Sequence, residues 1–298
     1  MAVLDPASLA TPAGTVRLLR QFGIHPRKRL GQHFLVSAAA LRAILQAADL
    51  DRRDAVLEIG AGVGTLTAAL AERAGSVVAV EVDPAVLPAL RAVVAPYPHV
   101  RVVHADAMAV DLAALLPEEG VRKVVANLPY RIASPLVVRL LDPSLRIRRL
   151  VLTVQREVAE RMAARPGRPD YGLLSVLVQA RAAVTVVRRL PPGAFFPPPE
   201  VESAVVRLDP HDRPPWQTGG EDAFMRVVRA AFAQRRKTVR NAVAAALGLA
   251  PAAAAAACVR AGIDPGRRGE TLTLEEFAAL ARAVAETVGE EAVGRERR

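Results

Sequence analysis

Residues 56–65 read VLEIGAGVGT, an apolar run that stops at three closely spaced glycines and continues into an apolar helix pattern. Glycine lets the backbone turn sharply and approach a ligand closely, and parallel α/β sheets make nucleotide pockets at such strand-to-helix turns. The stretch therefore predicts an α/β domain with a nucleotide-type ligand at its turn.

Strand and helix patterns alternate along the chain from residue 55 onward. Apolar runs predict parallel strands, with helices between them, at 55–59, 76–82, 100–104, 121–126 and 150–155. A helix through about residue 182 precedes two more strand patterns, at 184–188 and 201–208, which a short loop joins as a hairpin. We therefore expect an α/β, Rossmann-like fold, with a doubly wound, mostly parallel sheet and an antiparallel terminal strand, as is typical of class I methyltransferases.

Shifts in composition along the chain predict its domain organisation. Residues 1–26 are expected to be a flexible N-terminal arm, and 27–208 to form the methyltransferase domain. The Pro- and Gly-rich segment 209–220 is the predicted linker, because such segments carry few contacts. Beyond it the pattern is wholly helical, which predicts a small helical domain at 221–288 and a charged tail at 289–298.

The composition limits the class of protein and its compartment. With 298 residues and 52% hydrophobic content, the chain is long enough to bury a core. Its single cysteine, Cys258, excludes internal disulfides and multi-cysteine metal sites. We expect no metal site. The N-terminus lacks a signal-peptide pattern, and no apolar stretch is long enough to span a membrane. A cytoplasmic protein is therefore expected.

Basic residues are concentrated in two stretches that contain no acidic residue. The chain has 40 Lys and Arg against 30 Asp and Glu, a formal net charge of +10. The first stretch includes Arg27, Lys28 and Arg29, and the second comprises Arg226, Arg229, Arg235, Arg236, Lys237 and Arg240. Such clusters suit a polyanion such as RNA, although a solvated face of an Arg-rich protein would show the same pattern.

Polar residues follow successive predicted strands at the sheet edge where α/β proteins bind ligands. Gly60 and Gly62 form the turn, and Glu81 ends the second strand, where a carboxylate can accept both ribose hydroxyls of an adenosine. Asp106 follows the third strand and can receive the adenine's amine, although aspartate is also a common cap. The glycines and Glu81 alone fit NAD nearly as well as S-adenosylmethionine.

The sequence Asn127-Leu128-Pro129-Tyr130, at the end of the fourth strand, predicts the reaction. The exocyclic amine of adenine is a weak nucleophile because its lone pair is delocalised into the ring. The Asn127 side-chain oxygen and the Leu128 carbonyl are acceptors that can pull this nitrogen towards tetrahedral geometry, and Pro129 leaves no competing donor. Tyr130 offers a face on which the base can stack.

Two adjacent aromatic residues, Phe195 and Phe196, lie in a proline-rich loop. Exposed aromatics are costly unless something covers them, and a base taken out of its stack would cover one of them. Alternatively, the rings pack under the loop as part of a core. We expect one ring in each role, with Phe195 as the base contact.

The motifs together resemble a known family. They are RKRLGQHFL at 27–35, the Gly60 turn, EVD at 81–83, DAM at 106–108, NLPY at 127–130, YGLLS at 171–175 and FFPPPEVES at 195–203. Over about residues 27–281, this set resembles the ribosomal RNA adenine N6,N6-dimethyltransferases, class I enzymes that modify two adjacent adenines near the 3′ end of small-subunit rRNA.

The resemblance implies roles for particular residues. S-adenosylmethionine would contact His33, Leu35, Gly60, Gly62, Glu81, Asp106 and Asn127. The target adenine would be held by Asn127, Leu128 and Tyr130, with Phe195 stacked on it. His33 departs from the family, which usually has asparagine there, and a histidine could make binding pH-dependent. The helical C-terminal domain would help grip 16S rRNA in the assembling 30S subunit, and the enzyme is expected to be a monomer without a membrane partner.

Other functions remain open from the sequence. A related enzyme would dimethylate large-subunit rRNA, although RRGE at 267–270 favours the small subunit. A dehydrogenase is a different class of enzyme, but the third glycine comes one position early for its motif. An RNA-binding assembly or transcription factor could have kept the fold and lost catalysis, and the intact NLPY argues against that.

Overall fold

The computed structural model describes residues 6–27, 30–116, 119–213, 220–234 and 236–296. The strands are β1 (Phe34–Leu35), β2 (Asp54–Ile59), β3 (Ser76–Glu81), β4 (Val100–His104), β5 (Val121–Asn127), β6 (Arg149–Gln155), β7 (Ala182–Leu190), β8 (Phe195–Phe196) and β9 (Ser203–Pro210). The helices are α1 (Pro6–Leu9), α2 (Pro12–Gln21), α3 (Ala38–Ala48), α4 (Thr65–Ala71), α5 (Leu87–Val94), α6 (Leu112–Leu115), α7 (Ala133–Leu140), α8 (Arg156–Ala163), α9 (Leu173–Gln179), α10 (Glu221–Phe232), α11 (Val239–Leu247), α12 (Pro251–Arg260) and α13 (Leu274–Glu296).

The main sheet has seven strands in the order β4-β3-β2-β5-β6-β9-β7. Strands β2 to β6 pair in parallel, and β9 is antiparallel to both β6 and β7. The predicted Rossmann-like sheet with a late antiparallel strand is therefore confirmed. The last strand of the chain lies inside the sheet, and β7 forms the edge beside it.

Alternate residues of the central strands pack on opposite faces of the sheet, as the period of a strand requires. On one face, Val56 of β2, Val125 of β5 and Val151 of β6 pack with Ile44 of α3. Farther along the same face, Ala79 of β3, two residues after the Val77 that opposes Val56, packs with α5. Every residue of β2 is buried, which agrees with a parallel strand covered by helices on both sides.

The prediction of a flexible arm at residues 1–26 is wrong for the described part, 6–26. Thr11 caps α2 by accepting the Gly14 N–H at 3.1 Å, and Pro12 occupies the first helical turn. Leu9, Leu18 and Leu19 are buried in the same core cluster as α5. The burial of these leucines fixes the segment against the domain.

The chain forms two compact units. One comprises the described residues up to Glu160 together with Ala182–Pro210, and the other comprises Arg161–Arg181 and the described residues from His211 onward. Helix α9 therefore groups with the helical unit, whereas the sequence interpretation assigned it to the methyltransferase domain. The predicted linker also begins later than expected, because β9 runs to Pro210, and residues 214–219 lie outside the described residues.

The helical unit has its own core. Phe224 of α10 and Phe277 of α13 are buried together with Val176 of α9. Thr273 and Glu276 form a capping box before α13, since the Thr273 N–H donates to Glu276 Oε2 at 2.8 Å and the Glu276 N–H to Thr273 Oγ1 at 3.2 Å. Helix α13 continues to Glu296, through most of the segment predicted as a tail. In the described part of the chain, no helix is long and apolar enough to cross a membrane.

Candidate active site

A cleft opens at the carboxyl ends of the parallel strands. Residues from β2, β3, β5 and the loop after β4 line it, together with the segment 30–35. The lining includes these residues that the sequence singled out: His33, Leu35, Gly60, Gly62, Glu81, Asp106, Asn127, Leu128, Pro129 and Tyr130. The strand order explains this convergence, because β3, β2 and β5 are neighbours in the sheet.

The turn after β2 requires glycine at positions 60 and 62. Gly60 has a φ of +76° and Gly62 a φ of +55°, in the left-handed region that residues with a Cβ rarely adopt. A Cβ at Gly60 would lie 3.2 Å from Pro129 Cδ, and one at Gly62 would lie 3.2 Å from the Phe34 ring. The turn is therefore in close contact with both the Asn127–Tyr130 loop and the segment that contains His33.

The Glu81 carboxylate is held by backbone donors on both oxygens. Oε2 accepts the Gly62 N–H at 2.8 Å, and Oε1 accepts the N–H groups of Val82 at 2.9 Å and Asp83 at 2.8 Å. Burial raises the pKa of Glu81, and these hydrogen bonds oppose the rise. The carboxylate is thus fixed beside the glycine turn, where its remaining lone pairs can accept ligand hydroxyls.

Two further polar groups at the bottom of the cleft were not predicted as site residues. Glu58 and Thr65 line the cleft, and Glu58 Oε2 and Thr65 Oγ1 are buried without a hydrogen-bond partner among the described residues. Burial raises the pKa of Glu58 to about 8. Buried polar atoms without partners cost free energy, which points to a ligand group or water at this position. In the sequence, the position of Glu58 just before the glycine turn was the signal that could have identified it as a site residue.

Asp106 lies in the loop after β4 and lines the cleft. Its Oδ1 accepts the Met108 N–H at 2.8 Å, and its other carboxylate oxygen has no hydrogen-bond partner within the described residues. Both interpretations of Asp106 are therefore compatible, because one oxygen closes the turn while the other can accept a hydrogen bond from a ligand.

Asn127 is oriented by the segment on the other side of the cleft. Its Nδ2 donates to the His33 carbonyl oxygen at 3.0 Å. With the amide nitrogen used in this way, Oδ1 is the atom that can accept hydrogen bonds from a ligand amine. The backbone of the loop is held as well, since the Leu128 N–H donates to the Thr153 carbonyl of β6 at 3.1 Å.

The side chains of His33 and Tyr130 stack on each other. Their ring centroids are 5.4 Å apart with an interplanar angle of 24°. The Tyr130 hydroxyl lies 2.6 Å from Ser203 Oγ, and His33 Nδ1 donates to the Pro197 carbonyl oxygen at 2.7 Å. Burial raises the pKa of Tyr130. His33 thus covers one face of the tyrosine ring.

Phe195 does not have the exposure predicted for a base contact. Strand β8 pairs with β1, so that Phe195 opposes Leu35 and Phe196 opposes Phe34. Because side chains alternate along a strand, Phe195 lies in one core cluster, 2% exposed, and Phe196 is only partly buried against the other. This corrects the sequence prediction, since Phe196 is the residue with exposed ring surface.

Arg27 is engaged in an ion pair, although it was predicted to bind RNA. Its Nη1 lies 2.8 Å from Asp83 Oδ1, and Gln32 Nε2 donates to Asp83 Oδ2 at 2.7 Å. The Asp83 side chain is only 1% exposed, against 38% for Arg27. These contacts hold the segment that contains His33 next to the loop after Glu81.

The predicted RNA-binding residues of the helical unit are partly described. Arg226 and Arg229 on α10 are exposed, as are Arg236 and Lys237 after it, and Arg240 on α11 is half-buried. Lys28, Arg29 and Arg235 lie outside the described residues. The exposed residues form a basic segment that solvent can reach, as binding to a polyanion requires.

Comparison with known proteins gives matches along most of the chain. A family model described as Ribosomal RNA adenine dimethylase matches residues 24–286. The chain is 48% identical, over 285 residues, to the ribosomal RNA small subunit methyltransferase A of Moorella thermoacetica, a match that covers 93% of this chain and 99% of that protein. These matches extend across both compact units.

Two solved structures are similar in fold and in sequence. A dimethyladenosine transferase from Plasmodium falciparum superposes with a TM-score of 0.71 at 27% identity, covering 86% of this chain and 98% of that one. The 23S rRNA methyltransferase ErmE superposes with a TM-score of 0.67 at 25% identity, covering 85% and 99%.

Proposed function

The chain belongs to the ribosomal RNA adenine dimethylase family, and we propose that it dimethylates N6 of each of two adjacent adenines near the 3′ end of 16S rRNA. It is an rRNA adenine methyltransferase, and its methyl donor is S-adenosylmethionine. We further propose that it acts in the cytoplasm, as a monomer, on 30S subunits during their assembly.

The observation that carries this proposal is the contact between the glycine turn and the Asn127–Tyr130 loop. A Cβ at Gly60 would lie 3.4 Å from the Asn127 carbonyl oxygen and 3.2 Å from Pro129 Cδ. A cofactor seated on the turn would therefore lie beside a base held by the loop. Binding the two reactants side by side would give the reaction the rate advantage of proximity.

The residues of the cleft fit S-adenosylmethionine. The absence of side chains at Gly60 and Gly62 lets Pro129 and Phe34 pack closely against the turn. The fixed Glu81 carboxylate can accept ribose hydroxyls. Asp106 has an oxygen without a partner in the described residues for the adenine amine. Glu58 Oε2 and Thr65 Oγ1, buried and unpaired in the described chain, suit the polar end of a ligand. His33, Leu35 and Asn127 complete the proposed contacts.

The chain's own chemistry is to bind and polarise the target amine. When bound, S-adenosylmethionine supplies a methyl group on a positively charged sulfur, which is already activated for transfer. Asn127 Oδ1 and the Leu128 carbonyl oxygen accept the N6 hydrogens and so increase tetrahedral character at nitrogen. Tyr130 stacks on the base with the face that His33 does not cover. Pro129 presents no N–H that would compete for the amine.

The choice of rRNA needs a direct test because relatives of both kinds are similar to this chain. The curated relative at 48% identity is a small-subunit enzyme, whereas the solved structure at 25% identity is a 23S rRNA enzyme. The stronger match supports 16S rRNA. The test is to incubate the protein with labelled S-adenosylmethionine and unmodified 30S or 50S subunits, and then to separate the rRNAs.

Label in 16S rRNA is the expected result. Label only in 23S rRNA would show the specificity of the 23S rRNA methyltransferases instead. No label in either rRNA would contradict the proposed activity. A 30S subunit that already contains the dimethylated adenines is the matched control, and it should accept no further label.

We also propose that the helical unit grips rRNA through its exposed arginines. Arg226 and Arg229 lie on one helix and are exposed. Replacing both with Gln should weaken binding to 30S subunits and reduce the slope of log Kd against log salt by about 1 to 2, because each phosphate contact releases counterions. Replacing Arg42 and Arg91, two exposed helix arginines of the other unit, is the matched control. An unchanged slope in the α10 variant would contradict the proposed grip.

A further inference from the structure

Arg139, which no sequence motif singled out, makes a concentrated set of hydrogen bonds next to the cleft. It lies in the last turn of α7. Its Nη1 donates to the carbonyl oxygens of Ala107 at 2.8 Å and Met108 at 2.7 Å, and its Nη2 donates to that of Val110 at 3.0 Å. One guanidinium thus holds three carbonyls within four residues of a single loop.

That loop is the one that carries Asp106. It follows β4 and turns on itself, since the N–H groups of Ala109 and Val110 both donate to the Asp106 carbonyl, at 3.0 and 2.9 Å. The Asp106 side chain closes the same turn through Met108. The carbonyls to which Arg139 donates lie in this loop, outside the strands of the described chain. A buried or half-buried carbonyl without a partner would be costly, so Arg139 stabilises this conformation of the loop.

Arginine suits this task better than lysine. Its planar guanidinium presents several N–H donors in a fixed geometry, whereas the lysine ammonium is a single compact donor on a flexible stem. Helix α7 begins directly after the Asn127–Tyr130 loop, so Arg139 also joins the loop of the target base to the loop of Asp106 through one rigid helix.

We propose that Arg139 is a positioning residue for the adenine end of the cofactor, acting through the loop that carries Asp106. This role rests on the proposed function, because it assumes that the adenine amine of S-adenosylmethionine lies at Asp106. Within the described residues, the hydrogen bonds of the Arg139 side chain go to the backbone of this loop. Its effect should therefore depend on whether the ligand has the amine that Asp106 receives.

The test is ligand binding by calorimetry, without RNA and without turnover. The probes are S-adenosylhomocysteine and its analogue in which the 6-amino group of the purine is replaced by hydrogen. Arg139→Met should weaken binding of S-adenosylhomocysteine about tenfold, the range of one charge-assisted hydrogen bond, and should change binding of the analogue less than threefold. Arg139→Lys should show the same selectivity with a smaller loss. Arg101→Met is the control, because Arg101 also donates to a backbone carbonyl, that of Leu115 at 3.1 Å, and it should bind both ligands as the wild type does.

Combining Arg139→Met with Asp106→Ala gives a second readout. If Arg139 acts through Asp106, the double variant should bind S-adenosylhomocysteine no more weakly than Asp106→Ala alone.

Equal losses for both ligands in Arg139→Met and Arg139→Lys, or additive losses in the double variant, would overturn the positioning role and leave a merely structural one. If Arg139→Met does not fold, the difference between the losses of affinity for the two ligands in Arg139→Lys tests the positioning role. If the wild-type protein does not bind S-adenosylhomocysteine, the proposed function is wrong as well. If the wild-type protein binds it and Arg139→Met binds it equally well, only the positioning role of Arg139 is wrong.

Discussion

The two sides of the cleft are built in different ways. On the cofactor side, the Gly60 turn and Glu81 are held by hydrogen bonds between a carboxylate and nearby backbone, on neighbouring strands. On the target-base side, Asn127 and Tyr130 are oriented by His33, which comes from a segment 94 residues away from Asn127 in the chain. The first side is thus preorganised by local structure, and the second depends on long-range contacts between loops. Variants on the two sides should therefore separate cofactor binding from transfer.

The largest effect is expected from Asn127→Ala. Losing the acceptor that we propose for the target amine should lower kcat by about 10²- to 10³-fold, the usual cost of removing one preorganised transition-state contact. S-adenosylhomocysteine should still bind within about tenfold of the wild type, because the glycine turn and Glu81 are intact. Single-turnover methylation and calorimetry measure the two quantities.

Asn241→Ala, on α11, is the matched control for this variant and should behave as the wild type in both assays. Undiminished turnover in Asn127→Ala would exclude its role in polarising the amine.

The next largest effect is expected from Glu81→Gln on the other side of the cleft. Among the described residues, the hydrogen bonds to the Glu81 carboxylate all come from backbone N–H donors. In the variant, the amide nitrogen that replaces one oxygen would therefore face a donor. We expect S-adenosylhomocysteine to bind about 10- to 100-fold more weakly. Calorimetry tests this, with the exposed Glu72→Gln as control. Wild-type affinity in Glu81→Gln would contradict the assignment of the cofactor side.

Glu58→Gln should change how stability depends on pH. Burial raises the pKa of Glu58 from 4.5 to about 8. The folded state therefore keeps a proton that the unfolded state loses, so this contribution to stability is full below about pH 4.5 and is lost as the pH rises to about 8. A neutral glutamine removes that dependence. Between pH 5 and pH 8, the wild type should lose about 1 to 3 kcal/mol of unfolding free energy relative to the variant.

Urea unfolding of both proteins at several pH values measures this difference, and the comparison cancels the other titrating groups. Parallel pH profiles for the wild type and Glu58→Gln would show that Glu58 does not titrate in this window.

The smallest effect should come from His33→Phe, which tests whether the stack of residue 33 on Tyr130 orients the tyrosine. Phenylalanine can keep the stack on Tyr130 but cannot donate to the Pro197 carbonyl. The Asn127 contact should persist, since it uses the backbone oxygen of residue 33. We expect kcat to fall only a few-fold, whereas His33→Gly should lose the stack and cost about tenfold more. Equal rates for the two variants would show that the stack does not orient Tyr130.

The cofactor side was predictable from sequence because its signals are local. The turn at Gly60 follows a buried strand directly, and Glu81 ends the next strand, so their positions in the sheet follow from the βαβ order. Asn127 was predictable for the same reason, as it ends β5. The resemblance to the family then identified the cofactor, which the glycine turn and Glu81 had left open between two kinds of nucleotide.

The base side was less predictable because its contacts join distant segments. The pairing of β1 with β8 decides that Phe195 is buried and Phe196 is partly exposed, and two-residue strands leave too little pattern to reveal it. The ion pair of Arg27 with Asp83 is likewise invisible in a run of basic residues. Helix α2 was missed although Thr11 followed by Pro12 is a helix-start signal.

The most direct measurement of the central claim is the identity and number of the modified nucleosides. Unmodified 30S subunits should be incubated with the wild-type protein and S-adenosylmethionine, and their 16S rRNA fragments analysed by mass spectrometry, with Asn127→Ala in parallel. We predict two adjacent N6,N6-dimethyladenosines per subunit in one fragment near the 3′ end, and almost none with the variant. Methylation of another nucleoside, or of adenines elsewhere in the rRNA, would contradict the proposed function.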